Sequence, residues 1–132
     1  MNDVRIFYRH EVDIPVYYEF VNFKEDQLDE LKNPHLTRAV NLSLAGVGVV
    51  NFPNLDQHTI QKLLRGEKKV RLGLQLYPDM PPVIVFARMV WNEDNGSKKS
   101  PTSSGCAFID ISPESYYLIK EYLLSLENAQ GS

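Results

Sequence analysis

A chain of 132 residues, 43% hydrophobic and 23% charged, has the length of one ordinary domain and enough apolar material for one core, which excludes a multi-domain enzyme with a separate cofactor module. A formal charge of -3 excludes a general coat for nucleic acid, which needs many cations to displace counterions from a polyphosphate, so any phosphate site must be local. The single cysteine, Cys106, can form no internal disulfide or Cys-rich zinc site; with no secretory leader after Met1 and no membrane-length apolar run, a soluble cytoplasmic protein without membrane insertion is expected.

From Val12 to Phe20 the chain alternates, with Val12, Ile14, Val16, Tyr18 and Phe20 on one side, which predicts a half-buried strand. Pro15 within it lacks an N–H for a ladder and predicts an edge or a bulge. Asn22 to His35 is polar and reads as a solvated loop or short surface helix ending before Pro34. Strands at Thr37–Ser43 and Val47–Phe52 follow, joined by a turn at Leu44-Ala45-Gly46 that glycine can close with positive φ.

Asp56 is placed to cap a short helix with Ile60, Leu63 and Leu64 on its apolar stripe and Gly66 as its stop. Val70, Leu72, Leu74 and Leu76 alternate along the next strand, and Asp79-Met80-Pro81-Pro82 turns the chain into a strand from Val83 to Trp91. Asn92 to Ser104 is rich in Asn, Gly, Ser, Lys and Pro and predicts a mobile tip before a strand from Gly105 to Ile111. Ser112 caps a last helix with Pro113 at its first position, and Tyr116, Ile119, Tyr122 or Leu123, and Leu126 form its stripe. About six short strands without a βαβ rhythm predict an all-β fold, a six-stranded antiparallel barrel flanked by the terminal helix.

Several chemistries fail on spacing. After His10-Glu11 the second histidine of a zinc-protease helix would fall on Ile14; after Gly46-Val47-Gly48 the third glycine of a dinucleotide loop would fall on Asn51. Ser43 lacks the glycines of a nucleophile elbow, and His10, His35 and His58 share no context that predicts a catalytic base, so no catalytic residue, metal ligand or cofactor is expected. Two features remain: Arg5 and Arg9, four apart before the first strand, and an N-x-S-x-x-G element from Asn41 to Gly46. Asn41 and Ser43, two apart on a strand, would share one face and meet a flat polar edge such as guanine. Gly46 would let backbone come close, and arginine forks suit phosphate oxygens or a purine. Arg38 beside the element and Trp91 at a strand end are weaker candidates, one as a further cation and the other as a stacking ring.

These residues, with Ile14-Pro15-Val16, Ala87-Arg88-Met89-Val90 and Gly105-Cys106-Ala107-Phe108 before a terminal helix, make the chain resemble a PilZ domain from about Val4 to Leu124. The resemblance implies a six-stranded barrel that binds the bacterial messenger cyclic di-GMP without being an enzyme. By position, Arg5 and Arg9 would grip guanine and phosphate, Asn41 and Ser43 would hold guanine, and Gly46 would keep the turn open. It also implies a downstream protein partner in motility, exopolysaccharide or biofilm machinery. The alternative is a PilZ-like interaction adaptor without useful nucleotide affinity. Asn41 stands where the family commonly has Asp and lacks that carboxylate's charge and second acceptor.

Overall fold

A computed structural model describes residues 9–28, 30–52, 55–92 and 104–130. Its elements are β1 (His10–Asn22), β2 (His35–Leu42), β3 (Gly46–Val49), α1 (Gln57–Leu64), β4 (Lys68–Leu74), β5 (Val83–Asn92), β6 (Ser104–Asp110) and α2 (Pro113–Gln130). The six strands close antiparallel in the order β1-β2-β3-β6-β5-β4, the barrel that the alternating pattern predicts. Closure leaves no free sheet edge among them.

The inner rows follow from alternation. Val16, Leu74 and Val83 are cross-strand partners, as are Tyr18, Leu72 and Val85, and all six side chains are buried. Full burial of a Val or Leu side chain stabilises by about 1.5–3 kcal/mol. Tyr18 packs edge-on against Phe52 with ring centroids 4.8 Å apart. Pro15 does not lie on an edge: it pairs opposite Arg38, its carbonyl accepts from the Gln75 N–H at 3.1 Å, and a bulge between Glu11 and Ile14 precedes it. The missing donor is thus tolerated beside an irregularity of the ladder.

Both helices carry the predicted caps. Asp56 accepts from the Thr59 N–H at 2.7 Å, and Gly66 after α1 has φ +79°, a conformation that favours glycine. The Ser112 hydroxyl oxygen accepts from the Ser115 N–H at 3.1 Å at the start of α2. Ile119 and Leu123 of α2 are fully buried in the core cluster. Tyr116 departs from the predicted stripe and is exposed, whereas Tyr122 packs edge-on against Tyr77 at 5.5 Å.

The polar stretch between β1 and β2 is largely exposed, as its composition suggests, but it is also fastened to the barrel. Arg71 on β4, only 1% exposed, donates to a Glu19 carboxylate oxygen at 2.7 Å and to the Gln27 carbonyl at 2.9 Å. Glu19 in turn accepts from the backbone N–H of Lys32 at 2.7 Å and from that of Asn33. Leu31 lies over Gly73, where a side chain would collide with it. A buried ion pair therefore fastens this strap to the outer face of β1 and β4. The mobile tip expected at Asn92–Ser104 falls mainly on residues 93–103, outside the described residues; its two ends are tied by the Ser104 hydroxyl donating to Asn92 Oδ1 at 2.6 Å.

Removing one member of a buried pair leaves the other charge uncompensated, so Arg71→Ala should cost about 3–5 kcal/mol in urea unfolding, and Glu19→Leu/Arg71→Met should recover much of it. Burial pushes the Glu19 carboxyl up, but the Arg71 hydrogen bond and the Asn33 and Lys32 N–H groups outweigh burial and hold it below the ordinary carboxylate value. The folded-state value is thus the lower one. The strap's contribution should be complete above the ordinary carboxylate range and fade as pH falls through the lowered value. Stability curves of wild type and Arg71→Ala should converge in acid; parallel curves would contradict this.

Candidate functional site

The Asn41–Gly46 element opens with the last residues of β2. Inner and outer positions can be told apart by one buried row: His10, Leu42, Val47, Cys106 and Met89 are successive cross-strand partners over β1, β2, β3, β6 and β5, and all are buried. The neighbouring row, on the outer face, reads Glu11, Asn41, Gly48, Gly105 and Trp91. Two glycines thus meet side by side, flanked by an amide and an indole.

A register shift lies immediately before each flanking residue, between Ala39 and Asn41 on β2 and between Met89 and Trp91 on β5. Ala39 and Met89 are fully buried, so unbroken alternation would send Asn41 and Trp91 into the barrel as well. The bulges turn both side chains outward. They then lean over the glycines. A Cβ on Gly48 would stand 2.6 Å from both Asn41 amide heavy atoms, and one on Gly105 would collide with the Trp91 indole. At the backbone the flanks are about 14 Å apart, three strand spacings. The result is a shelf on the outer face in which both glycines are buried, Gly48 under the Asn41 amide and Gly105 under the Trp91 ring. Asn41 Oδ1 is buried there with no hydrogen-bond partner, a costly state for a polar atom that a ligand donor would relieve.

Arg9 directly precedes His10, the register partner of Leu42, and is exposed. It therefore stands at the β1 end nearest Ser43, which brings the second arginine of the N-terminal pair beside the Asn41–Gly46 element. Arg5 lies outside the described residues. Ser43 is not a strand residue: β2 ends at Leu42. Its hydroxyl oxygen accepts from the Ala45 N–H at 3.1 Å and the Gly46 N–H at 3.2 Å, while its own N–H donates to the Gly46 carbonyl at 2.9 Å. The shared Asn41–Ser43 edge expected from alternation is thus replaced by an amide on the shelf and a hydroxyl closing the turn.

Gly46 does not supply positive φ; Gly66 alone does so among the described glycines. Gly46 is required because any Cβ would strike the Cys106 carbonyl oxygen of β6. Arg38 is ion-paired with Asp13. Arg88, in the next outer row with Ala107 and Gly46, was not singled out from sequence as a site residue; its guanidinium donates to the Leu64 carbonyl at 3.3 Å and anchors the end of α1.

Hollows also occur away from this element. A cleft of about 430 Å³ between the β4–β5 turn and the start of α2 is lined by Leu28, Met80, Pro82 and Leu118, and its one charged lining residue is Glu114. That sign repels phosphate, so volume does not make it the anion site. The strap covers β1 and β4, away from the shelf on β2, β3, β6 and β5. Burial pushes the Cys106 thiol up to about 12, which keeps it protonated and a poor nucleophile at neutral pH. Among the described residues no His, Cys, Asp and Glu side chains cluster as metal ligands, and no helix is long and apolar enough to cross a membrane.

The family model described as PilZ domain matches residues 3–125. Among solved structures the chain is similar to the Bacillus subtilis inhibitor of motility MotI/DgrA, with a TM-score of 0.62 and 14% identity over 92% of this chain and 49% of that one. The likeness is one of fold, and the chain spans about half the length of that protein. No curated protein sequence matches it.

The two glycines of β3 should respond differently to a methyl group. In Gly46→Ala the added carbon meets the Cys106 backbone and should cost about 1–3 kcal/mol through strain. In Gly48→Ala it meets only the end of the Asn41 side chain, which can swing away, so the loss should be smaller. Thermal unfolding of the two variants reads the difference; equal losses would contradict the assigned contacts.

Proposed function

Because the chain belongs to the PilZ domain family, we propose that it is a cyclic di-GMP receptor that relays the messenger's level to motility, exopolysaccharide or biofilm machinery. One observation carries this reading: the register aligns Asn41, two glycines and Trp91 in a single outer row, with Arg9 at the adjoining end of β1. A guanine ring has a flat face for the indole and N–H donors for the orphaned Asn41 oxygen. The phosphates call for arginine, which Arg9 supplies and Arg5 would extend.

The arrangement suits binding better than turnover. Among the described residues it offers donors, acceptors and a ring, and no base and nucleophile are brought together. The fold's likeness to an inhibitor of motility supports motility as one output, and a protein partner is the natural receiver of the signal. A cytoplasmic location would give the chain access to such a messenger.

Calorimetric titration with cyclic di-GMP tests the reading. Arg9→Ala should weaken binding by about 1–3 kcal/mol, roughly ten- to a hundredfold, and Trp91→Ala by about 1–3 kcal/mol through lost stacking. Wild-type affinity in Arg9→Ala would remove the proposed clamp. A flat titration of wild type, with an unchanged partner catch on adding messenger, would leave the interaction adaptor instead.

A further inference from the structure

Asn41 presents one amide oxygen to a ligand edge that carries two donors. Guanine offers N1–H and the exocyclic N2–H₂ side by side, a pattern a carboxylate matches and a single amide oxygen meets only in part. The cross-strand partner of Asn41 on β1 is Glu11. Direct partners on neighbouring strands face the same side with Cβ atoms about 4.5–5.5 Å apart. Glu11 is exposed, and its carboxylate makes no hydrogen bond or ion pair with other described residues. The preceding residue on β1, His10, is buried, as alternation requires if Glu11 faces outward.

Resting on the cyclic di-GMP reading, we infer that Glu11 is a specificity residue of the shelf: its carboxylate accepts from the guanine N1–H and N2–H₂ groups while the Asn41 amide oxygen takes a remaining donor. The acid missing at position 41 is thereby supplied from the adjacent strand. Arg9, two residues earlier and just before β1, is exposed, so one short stretch of chain offers a cation for phosphate and an anion for the base. Adenine presents an acceptor, N1, where guanine presents N1–H, and a carboxylate there meets a lone pair. The pairing therefore selects guanine over adenine.

The charge sign makes the idea testable. The messenger is anionic, so a Glu11 that is merely a nearby surface charge repels it, and neutralising that charge would tighten binding. A Glu11 that holds guanine has the opposite effect. Wild type, Glu11→Gln and Glu11→Ala should be titrated with cyclic di-GMP and with cyclic di-AMP at one fixed salt concentration. Both variants should bind cyclic di-GMP about ten- to a hundredfold more weakly than wild type, with cyclic di-AMP unchanged or tighter, so that discrimination falls. Arg9→Ala should instead weaken whatever binding either nucleotide shows by a similar factor. Glu11 is exposed, and matching thermal unfolding of the variants would exclude a folding defect. Cyclic di-GMP affinity within twofold of wild type, or tighter, in both Glu11 variants would overturn the inference and leave the receptor reading standing. Absence of cyclic di-GMP binding by wild type would overturn both.

Discussion

The shelf depends on how closely the main chains of β3 and β6 approach each other with nothing between them. Gly46 faces the Cys106 carbonyl, and Gly48 pairs with Gly105. β3 has only four residues, yet it must join β2 on one side and β6 on the other for the barrel to close. Side chains on its outer face would push it away from β6 or displace Asn41. With glycine there, one short strand both completes the ladder and leaves room for the Asn41 side chain to lie over Gly48. The same economy puts Val47, Val49 and Cys106 on the inner face, where they join the core.

Much of the barrel could be read from the sequence because alternation and end signals are local properties. The Val12–Phe20 and Val70–Leu76 patterns, the Asp56 and Ser112 caps and the Gly66 stop all report on a few neighbouring residues, and the strands and caps lie close to those places. The candidate site was legible in composition but less so in geometry. Asn41 and Trp91 owe their outward aim to bulges, and a bulge is a property of two paired strands. Ser43 could equally have been the last strand residue or the first turn residue; three short bonds around its hydroxyl and amide make it the latter.

Arg71 illustrates the other limit. Between Val70 and Leu72 it occupies an outward position, where an arginine is ordinarily solvated. Nothing local indicates that the backbone groups of Gln27, Lys32 and Asn33 come back to it and its partner Glu19. The signal is the match between an arginine on β4 and a glutamate on β1 at opposed register positions, since Glu19 pairs with Arg71, and that match is visible only once the strand order is known. Glu11 opposite Asn41 is legible on the same condition.

The manner in which the strap is held has a consequence for divergence. Arg71 and Glu19 grip it through the Gln27 carbonyl and the Lys32 and Asn33 amides, which every residue but proline can offer in full. Apart from Leu31 over Gly73 and Glu25 near Arg71, the identities of its side chains are left largely unconstrained by the fastening. The segment can therefore drift in sequence while its path is preserved, a region where new surface chemistry can arise without loosening the barrel.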